Sequence, residues 1–471
     1  MFVKKHLDLC IVALFLLYFL FKATYFAFTV PVGMPPDEYF HYLQSQLFHQ
    51  TSGLYVSPEG LNAYHGTRSR TFYLYHLAMG KMLFYGSWLP LDAPTFLRLV
   101  NVLFAAVYLA IFYMLARLLL RHRWLAAFAF VVHTNLLMFT FLAGAINSDN
   151  LVNLLSMCAI FLLFKSIIQK RPLLIYPFLW CLCLGALTKK TFLPVAAILV
   201  VICVFEYRAA LWRVIVEKGR GLRWRAGGAH VACVAILVLL IGANALLHGY
   251  NLLHYGSIVP KCTQVYSEEK CAREHPVYAK YKKLGEAKDD REGAVLDPVR
   301  YLVAWFDYMT EKVIGIFAYA SYYPGNLALG LVEAVIAVAL VLGVRRVDWK
   351  DKHILYAVVT VGFYVLVLAY LVNYKSYLNM KLMPRYSFIG VQGRYIFPVI
   401  SLIVILLSKC LLTFKRPLVN ACIGVAVACL FITISFPAFY GTPADQRFVP
   451  NNKLQTTYRN GWYSTQDFIY P

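Results

Sequence analysis

The stretch PVGMPPDEYFHYLQSQ, residues 31–46, places Asp37, Glu38 and His41 directly after a long apolar run. Pro36 suits the first position of a helix, where its missing N–H costs nothing. Acidic residues in that first turn complement the helix dipole. Read this way, the segment is a helix start and no more. On a helix, however, Asp37, His41 and Gln44 or Ser45 share one face. A carboxylate on such a face at a membrane boundary could take the proton from an acceptor hydroxyl as general base. The residue types fit both uses.

Three further stretches keep polar residues where an apolar chain has little reason to. LAGAINSDNLVNLL, residues 142–155, sets Asn147, Ser148, Asp149 and Asn150 between two apolar runs. A turn there needs polar residues, and Ser148 or Asp149 could cap the next helix. That leaves Asn153, one turn into the run, unexplained. Asp37 and Asp149, if they converge, could hold a divalent metal such as Mg²⁺ or Mn²⁺, or divide acid and base roles; the cofactor stays open. LGALTKKTFLPV, residues 184–195, offers Lys189 and Lys190, either as snorkelling anchors or as a cationic site for a phosphate. In SFIGVQGRYIFPV, residues 387–399, Arg394 follows Gln392 and Gly393. Arg394 is an interfacial anchor or a bidentate phosphate clamp, and Gly393 permits close backbone approach. Lys375, Lys381 and Arg385 add charge nearby. His248 and His254 are six positions apart, off one helical face, and read as loop structure.

The elements that must position these residues follow from composition. Of 471 residues, 60% are hydrophobic and 14% charged, against about 25% charged in soluble domains. Many windows of roughly 20 apolar residues fit transmembrane helices. The chain therefore reads as an all-α polytopic membrane protein with about eleven spans: 7–30, 95–119, 124–144, 150–167, 173–188, 191–205, 229–247, 326–344, 353–373, 395–408 and 418–437. The first run is too long for a cleavable signal and lacks a small-residue cleavage site. The net charge of +22 does not point to nucleic acid, because its Lys and Arg cluster in alternate short gaps, as the positive-inside rule requires. That rule places loops 31–94 and 248–325 and the short tail 438–471 outside, with residues 1–437 as the membrane domain. All four polar motifs then share the external side.

The external loops hold three amphipathic candidates: a helix from Pro36 to about Gln50, the stretch 71–88 as an interfacial segment or re-entrant pair, and an interfacial helix over 296–323. Of eleven cysteines, Cys262 and Cys271 alone fall in an external loop, where an oxidising compartment favours a disulfide. Acids and cations together at one lipid–water boundary suit a substrate that is both lipid and phosphate.

In their order along the chain, PPDEYFH at 35–41, NSDN at 147–150, LTKKT at 187–191 and QGRYIFP at 392–398 resemble the GT-C superfamily of integral-membrane glycosyltransferases. The likeness is to a bacterial branch with a PPDE first loop and a late QGRY, and it covers residues 1 to about 400. It implies a multi-pass protein of the bacterial inner membrane whose active site faces the periplasm or exterior. Such enzymes move a sugar from a polyprenyl-phosphate carrier to a glycan or lipid acceptor of the cell envelope. On that pattern Asp37 is the base or metal-linked acid, with Glu38 beside it, and Asp149 is the second acid. Arg394, with Lys189 or Lys190, binds the donor phosphate, and His41 and Gln392 line the substrate. Inversion at the anomeric carbon is expected. The short tail departs from larger relatives that carry a soluble C-terminal domain, which weighs against a large protein acceptor. The rival readings are a transporter or flippase of lipid-linked saccharides, and a glycan polymerase or ligase. Transporters place ionisable residues near the midplane and often carry inverted repeats; neither is evident.

Overall fold

Apolar runs dominate the chain, and each becomes a helix, because in lipid a segment must satisfy its backbone polar groups internally. The computed structural model describes residues 2–51, 56, 61–69, 71–217, 228–275, 278–279, 282, 296–346, 348–379, 391–412, 414 and 416–450. Among these, nine helices are long and apolar enough to cross a membrane: His6–Thr29, Ala93–Leu120, Ser148–Gln169, Lys190–Ala209, His230–Tyr255, Asn326–Gly343, Lys352–Leu378, Gly393–Leu411 and Pro417–Gly441. A tenth is broken into Arg123–Thr134 and Leu137–Ala143, bent by 69°. Pro172–Thr188 is apolar but shorter, about 25 Å long at 1.5 Å per residue.

Parity decides whether the broken and short segments cross. Lys189, directly after Pro172–Thr188, lies 2.7 Å from Asp149, at the start of the preceding long helix. One helix leaves that end of the bundle, so the short segment must return to it. Likewise Asp37 and Asp149 both approach Arg394, which requires the bent pair between them to cross as a unit. To the nine helices and the bent pair long and apolar enough to cross, parity adds the short segment, which brings the count among the described residues to eleven. The fold is an all-α polytopic membrane protein.

The helices that frame the polar end are α1 (Phe2–Thr29), α2 (Glu38–Gln50), α3 (Ala63–Ser69), α4 (Leu74–Gly86), α5 (Ala93–Leu120), α6 (Arg123–Thr134), α7 (Leu137–Ala143), α8 (Ser148–Gln169) and α9 (Ile175–Thr188). The break between α6 and α7 contains no proline. It frees the last carbonyls of α6, and the buried Lys22 of α1 caps them, donating to Thr134 O at 2.8 Å and to Asn135 Oδ1 at 3.0 Å. A charge inside a span is costly unless its donors are used; here the broken helix uses them.

Residues 71–88 do not form a re-entrant pair: α4 is one helix, packed on α2 with Gly80 against the α2 backbone. A Cβ at Gly80 would lie 2.6 Å from Ser45 O, so glycine sets the closeness of the two helices. The expected helix over 296–323 stops at Ile314. Extended Gly315 turns the chain, and Ile316–Phe317 (β1) and Ala320–Tyr322 (β2) make a small antiparallel hairpin, joined by Val449–Pro450 (β3). The described part of the tail thus folds back, with Arg447 donating to Tyr25 Oη at 3.1 Å. Residues 451–471, and with them the rest of the tail, lie outside the described residues, as do Lys381 and Arg385. Cys262 and Cys271 form the expected disulfide, with Cα atoms 5.9 Å apart. It ties two short helices, Cys262–Val265 and Glu268–Glu274, against α3 around Ala63.

Candidate functional site

The turn between α1 and α2 is fixed by one buried ion pair. Arg98 on α5 donates to both Glu38 oxygens, at 2.8 and 2.6 Å, and both side chains are almost fully buried. Its other N–H groups cap the end of α1 through Ala27 O and Val30 O, at 3.0 and 2.6 Å. A guanidinium suits that position, where orphan carbonyls carry the negative end of the helix dipole. Glu38 also accepts from the backbone N–H of Gly33 at 2.9 Å and of Ile146 at 3.0 Å. It therefore joins the first loop to the Asn147 turn. Gly33 has φ +90°, a conformation that only glycine adopts readily.

With the loop pinned, Asp37 sits at the N-cap of α2 in the left-handed region, φ 58° and ψ 12°. Aspartate tolerates this better than most residues, yet a non-glycine there carries strain. The Asp37 side chain makes no capping hydrogen bond to the helix and is 44% exposed. Arg394 Nη2 donates to Asp37 Oδ2 at 2.6 Å, and Arg394 Nη1 to Pro36 O at 3.2 Å. Asn147 Nδ2 donates to the same carbonyl at 2.8 Å. Asn147, rather than Ser148 or Asp149, is the N-cap of α8, its Oδ1 accepting from Asp149 N at 2.9 Å. This leaves the Asp149 side chain pointing at the cations: Lys189 Nζ donates to its Oδ1 at 2.7 Å, and Arg394 Nε stands 3.5 Å from its Oδ2. Two acids and two cations thus alternate at one end of the bundle.

Arg394 begins the last-but-one crossing in a tight turn, Gly393–Ile396. Gly393 makes the approach possible: a Cβ there would be 2.1 Å from Lys312 O. Lys312 Nζ answers by donating to Val391 O at 2.7 Å. Buried Tyr364 donates to Tyr395 O at 2.6 Å, with Thr191 O at 3.4 Å. Its hydroxyl so stands between the turn bearing Arg394 and the turn bearing Lys189.

No family model matches the chain, and no curated protein matches it. Solved structures that match include the crystal structure of ArnT from Cupriavidus metallidurans bound to undecaprenyl phosphate. The two chains are 14% identical with a TM-score of 0.44, over 92% of this chain and 66% of that one. At that TM-score the likeness bears no weight, and the site rests on its own residues.

The structure brings Asp37, Asp149, Lys189 and Arg394 together. Lys190 is exposed beside them, and half-buried Gln392 precedes the Arg394 turn. Glu38 lies behind the cluster, enclosed by Arg98 and two backbone donors. His41 turns away: its Nδ1 is 2.9 Å from His76 Nε2 on α4, and the rings stack at 5.1 Å. Next to that pair, Gln44 Oε1 meets His65 Nδ1 at 2.9 Å, and burial holds His65 below the ordinary imidazole range.

Sequence reasoning missed Arg98, Tyr364 and Asn101. Asn101 accepts from Tyr75 Oη at 3.1 Å and from Asn150 Nδ2 at 3.0 Å, and burial pushes the Tyr75 hydroxyl well above its usual range, keeping it a donor. All three lie in apolar runs, and a charge six residues into one was the available signal.

As a metal centre the donor set fits poorly. No group of three or more His, Cys, Asp or Glu among the described residues is arranged to hold a metal ion. The two candidate carboxylates face a guanidinium that lies between them, and a divalent cation there would have to displace it.

Proposed function

We propose that this chain is a GT-C-type glycosyltransferase. It moves a sugar, with inversion, from a polyprenyl-phosphate carrier to a glycan or lipid acceptor of the cell envelope, on the non-cytoplasmic face of a bacterial inner membrane. The observation that carries the reading is the 2.6 Å pair of Asp37 with Arg394, beside the Asp149–Lys189 pair, at the end of the bundle where the sequence resemblance expects donor and acceptor to meet.

In the reaction, Asp37 accepts the proton of the acceptor hydroxyl as the acceptor oxygen bonds to the anomeric carbon. The bond from that carbon to the carrier phosphate oxygen breaks, and its electron pair leaves with the phosphate. Lys189, 18% exposed at its side chain, and exposed Lys190 supply the positive charge that this departure needs. Arg394 is only 2% exposed and spends its donors on Asp37 and Pro36 O. Its part is to hold Asp37 in place rather than to grip the phosphate. Glu38 acts at one further remove, through Arg98 and the loop.

A transporter would need its polar groups near the midplane, whereas this cluster occupies one end of the crossings. The test is purified protein in vesicles with a polyprenyl-phosphate sugar and an envelope glycan fraction. Release of free polyprenyl phosphate coupled to sugar on the acceptor supports transfer. Movement of the intact donor between leaflets, without release, removes the proposal.

A further inference from the structure

The proposed reaction leaves Asn153, in the second polar motif, unused. It lies on α8 one turn beyond Asp149, hence on the same face. That face looks toward Lys189 and Arg394, as the contacts of Asp149 show. Asn153 is 2% exposed, and neither Nδ2 nor Oδ1 makes a hydrogen bond within the protein. The hydroxyl of Thr191 likewise makes none, whereas Asp149 Oδ2 and Arg394 Nε face each other at 3.5 Å as an ion pair. Thr191 belongs to the Lys189 turn that Tyr364 adjoins to Arg394.

Burying an unpaired amide costs on the order of a few kcal/mol, and in a membrane span leucine would avoid the cost. An unspent amide one turn from a charged cluster, with an unspent hydroxyl on the Lys189 turn, is therefore retained for a ligand. The chemistry of the set selects its class. A phosphate only accepts, and lysine suits it. A carboxamide presents one donor and one acceptor side by side, matched by a hydroxyl-bearing group that both donates and accepts.

We infer that Asn153, with Asp149 and Thr191, binds the hydroxyls of the donor's sugar, while the carrier phosphate sits on the Lys189–Lys190 side. This rests on the glycosyltransferase reading and adds to it which residues read the sugar. Asn153 then sets which sugars are accepted.

The experiment measures binding of a bare short-chain polyprenyl phosphate and of the same carrier bearing glucose, mannose, galactose or arabinose. The proteins are wild type, Asn153→Leu and Lys189→Ala in detergent. Wild type should bind at least one sugar-bearing carrier ten-fold or more tighter than the bare carrier. Asn153→Leu should bind both carriers equally and keep the bare-carrier affinity. Lys189→Ala should weaken both. Asn153→Leu should also raise Tm without ligand, because it removes an unpaired buried amide; a residue kept for structure alone would lower it. Unchanged sugar discrimination in Asn153→Leu, or a lower ligand-free Tm, overturns the inference while leaving the transferase reading standing. Equal wild-type affinity for bare and sugar-bearing carriers also overturns it. If wild type binds no carrier at all, the transferase reading falls and takes this inference with it.

Discussion

Glu38→Gln separates two roles for the acid beside Asp37. If Glu38 does chemistry, the amide should leave a folded, inactive protein. Its surroundings favour a positioning task. Glu38 is 0% exposed, accepts two bonds from Arg98 and one each from Gly33 and Ile146. An amide keeps one acceptor oxygen, turns the other into a donor facing donors, and strands the Arg98 charge in the interior. Breaking a buried pair by removing one partner costs about 3–5 kcal/mol, and the misplaced N–H adds on the order of 1–3 kcal/mol. Because Arg98 also caps α1, its displacement should loosen the loop that carries Asp37. Thermal unfolding in detergent, read as an apparent Tm, should show a large drop for Glu38→Gln and for Arg98→Met alone. The double variant Glu38→Leu/Arg98→Met should recover a substantial part, since apolar replacement of a buried pair is often near neutral. A Glu38→Gln protein with the wild-type Tm and no transfer would refute the reasoning and return Glu38 to the chemistry.

Other substitutions probe the remaining contacts. Gly393→Ala puts a methyl 2.1 Å from Lys312 O; the Arg394 turn must shift, so both Tm and transfer should fall, as unfolding and activity assays will show. Tyr364→Phe removes only the hydroxyl shared by the turns of Arg394 and Lys189. It should raise KM for the donor several-fold with a smaller effect on KM for the acceptor, and equal rises in both would count against a positioning role. Serine at both Cys262 and Cys271 frees two short helices from α3, and limited proteolysis should then cut within 262–274 faster than in wild type. Transfer should persist in excess chelator, given a donor set occupied by a guanidinium; loss restored by Mg²⁺ or Mn²⁺ would reverse that.

Much of the architecture was legible in the sequence because lipid leaves a chain few options. All eleven apolar runs became helical, the run 124–144 as a bent pair and 173–188 as a helix shorter than the rest. The polar turns were legible for the same reason: Asp149, Lys189 and Arg394 interrupt greasy surroundings. What escaped depended on partners far apart in the chain. Arg98 meets Glu38 across 60 positions, and nothing local marks it as the pin of the first loop. Arg394 resembles a phosphate clamp by type and by its glycine; its burial against Asp37, 357 positions away, is what no local signal shows. The break at Asn135 carries no proline or glycine, and Lys22, 113 positions earlier, was its only trace. The aromatic run 296–323 suits helix and hairpin alike. Contact of Gly315 with Tyr322, whose carbonyl a Cβ there would approach to 2.7 Å, ends the helix.

The most direct measurement compares wild type with Asp37→Asn in release of polyprenyl phosphate from a polyprenyl-phosphate sugar, at matched folding. Asp37 is 44% exposed at its side chain, and asparagine still accepts from Arg394, so Tm should hold near the wild-type value. The account predicts steady release by wild type and loss of at least ~100-fold in Asp37→Asn, the span typical of a general base. Wild-type release by the variant, with Arg394 and Lys189 intact, would contradict it.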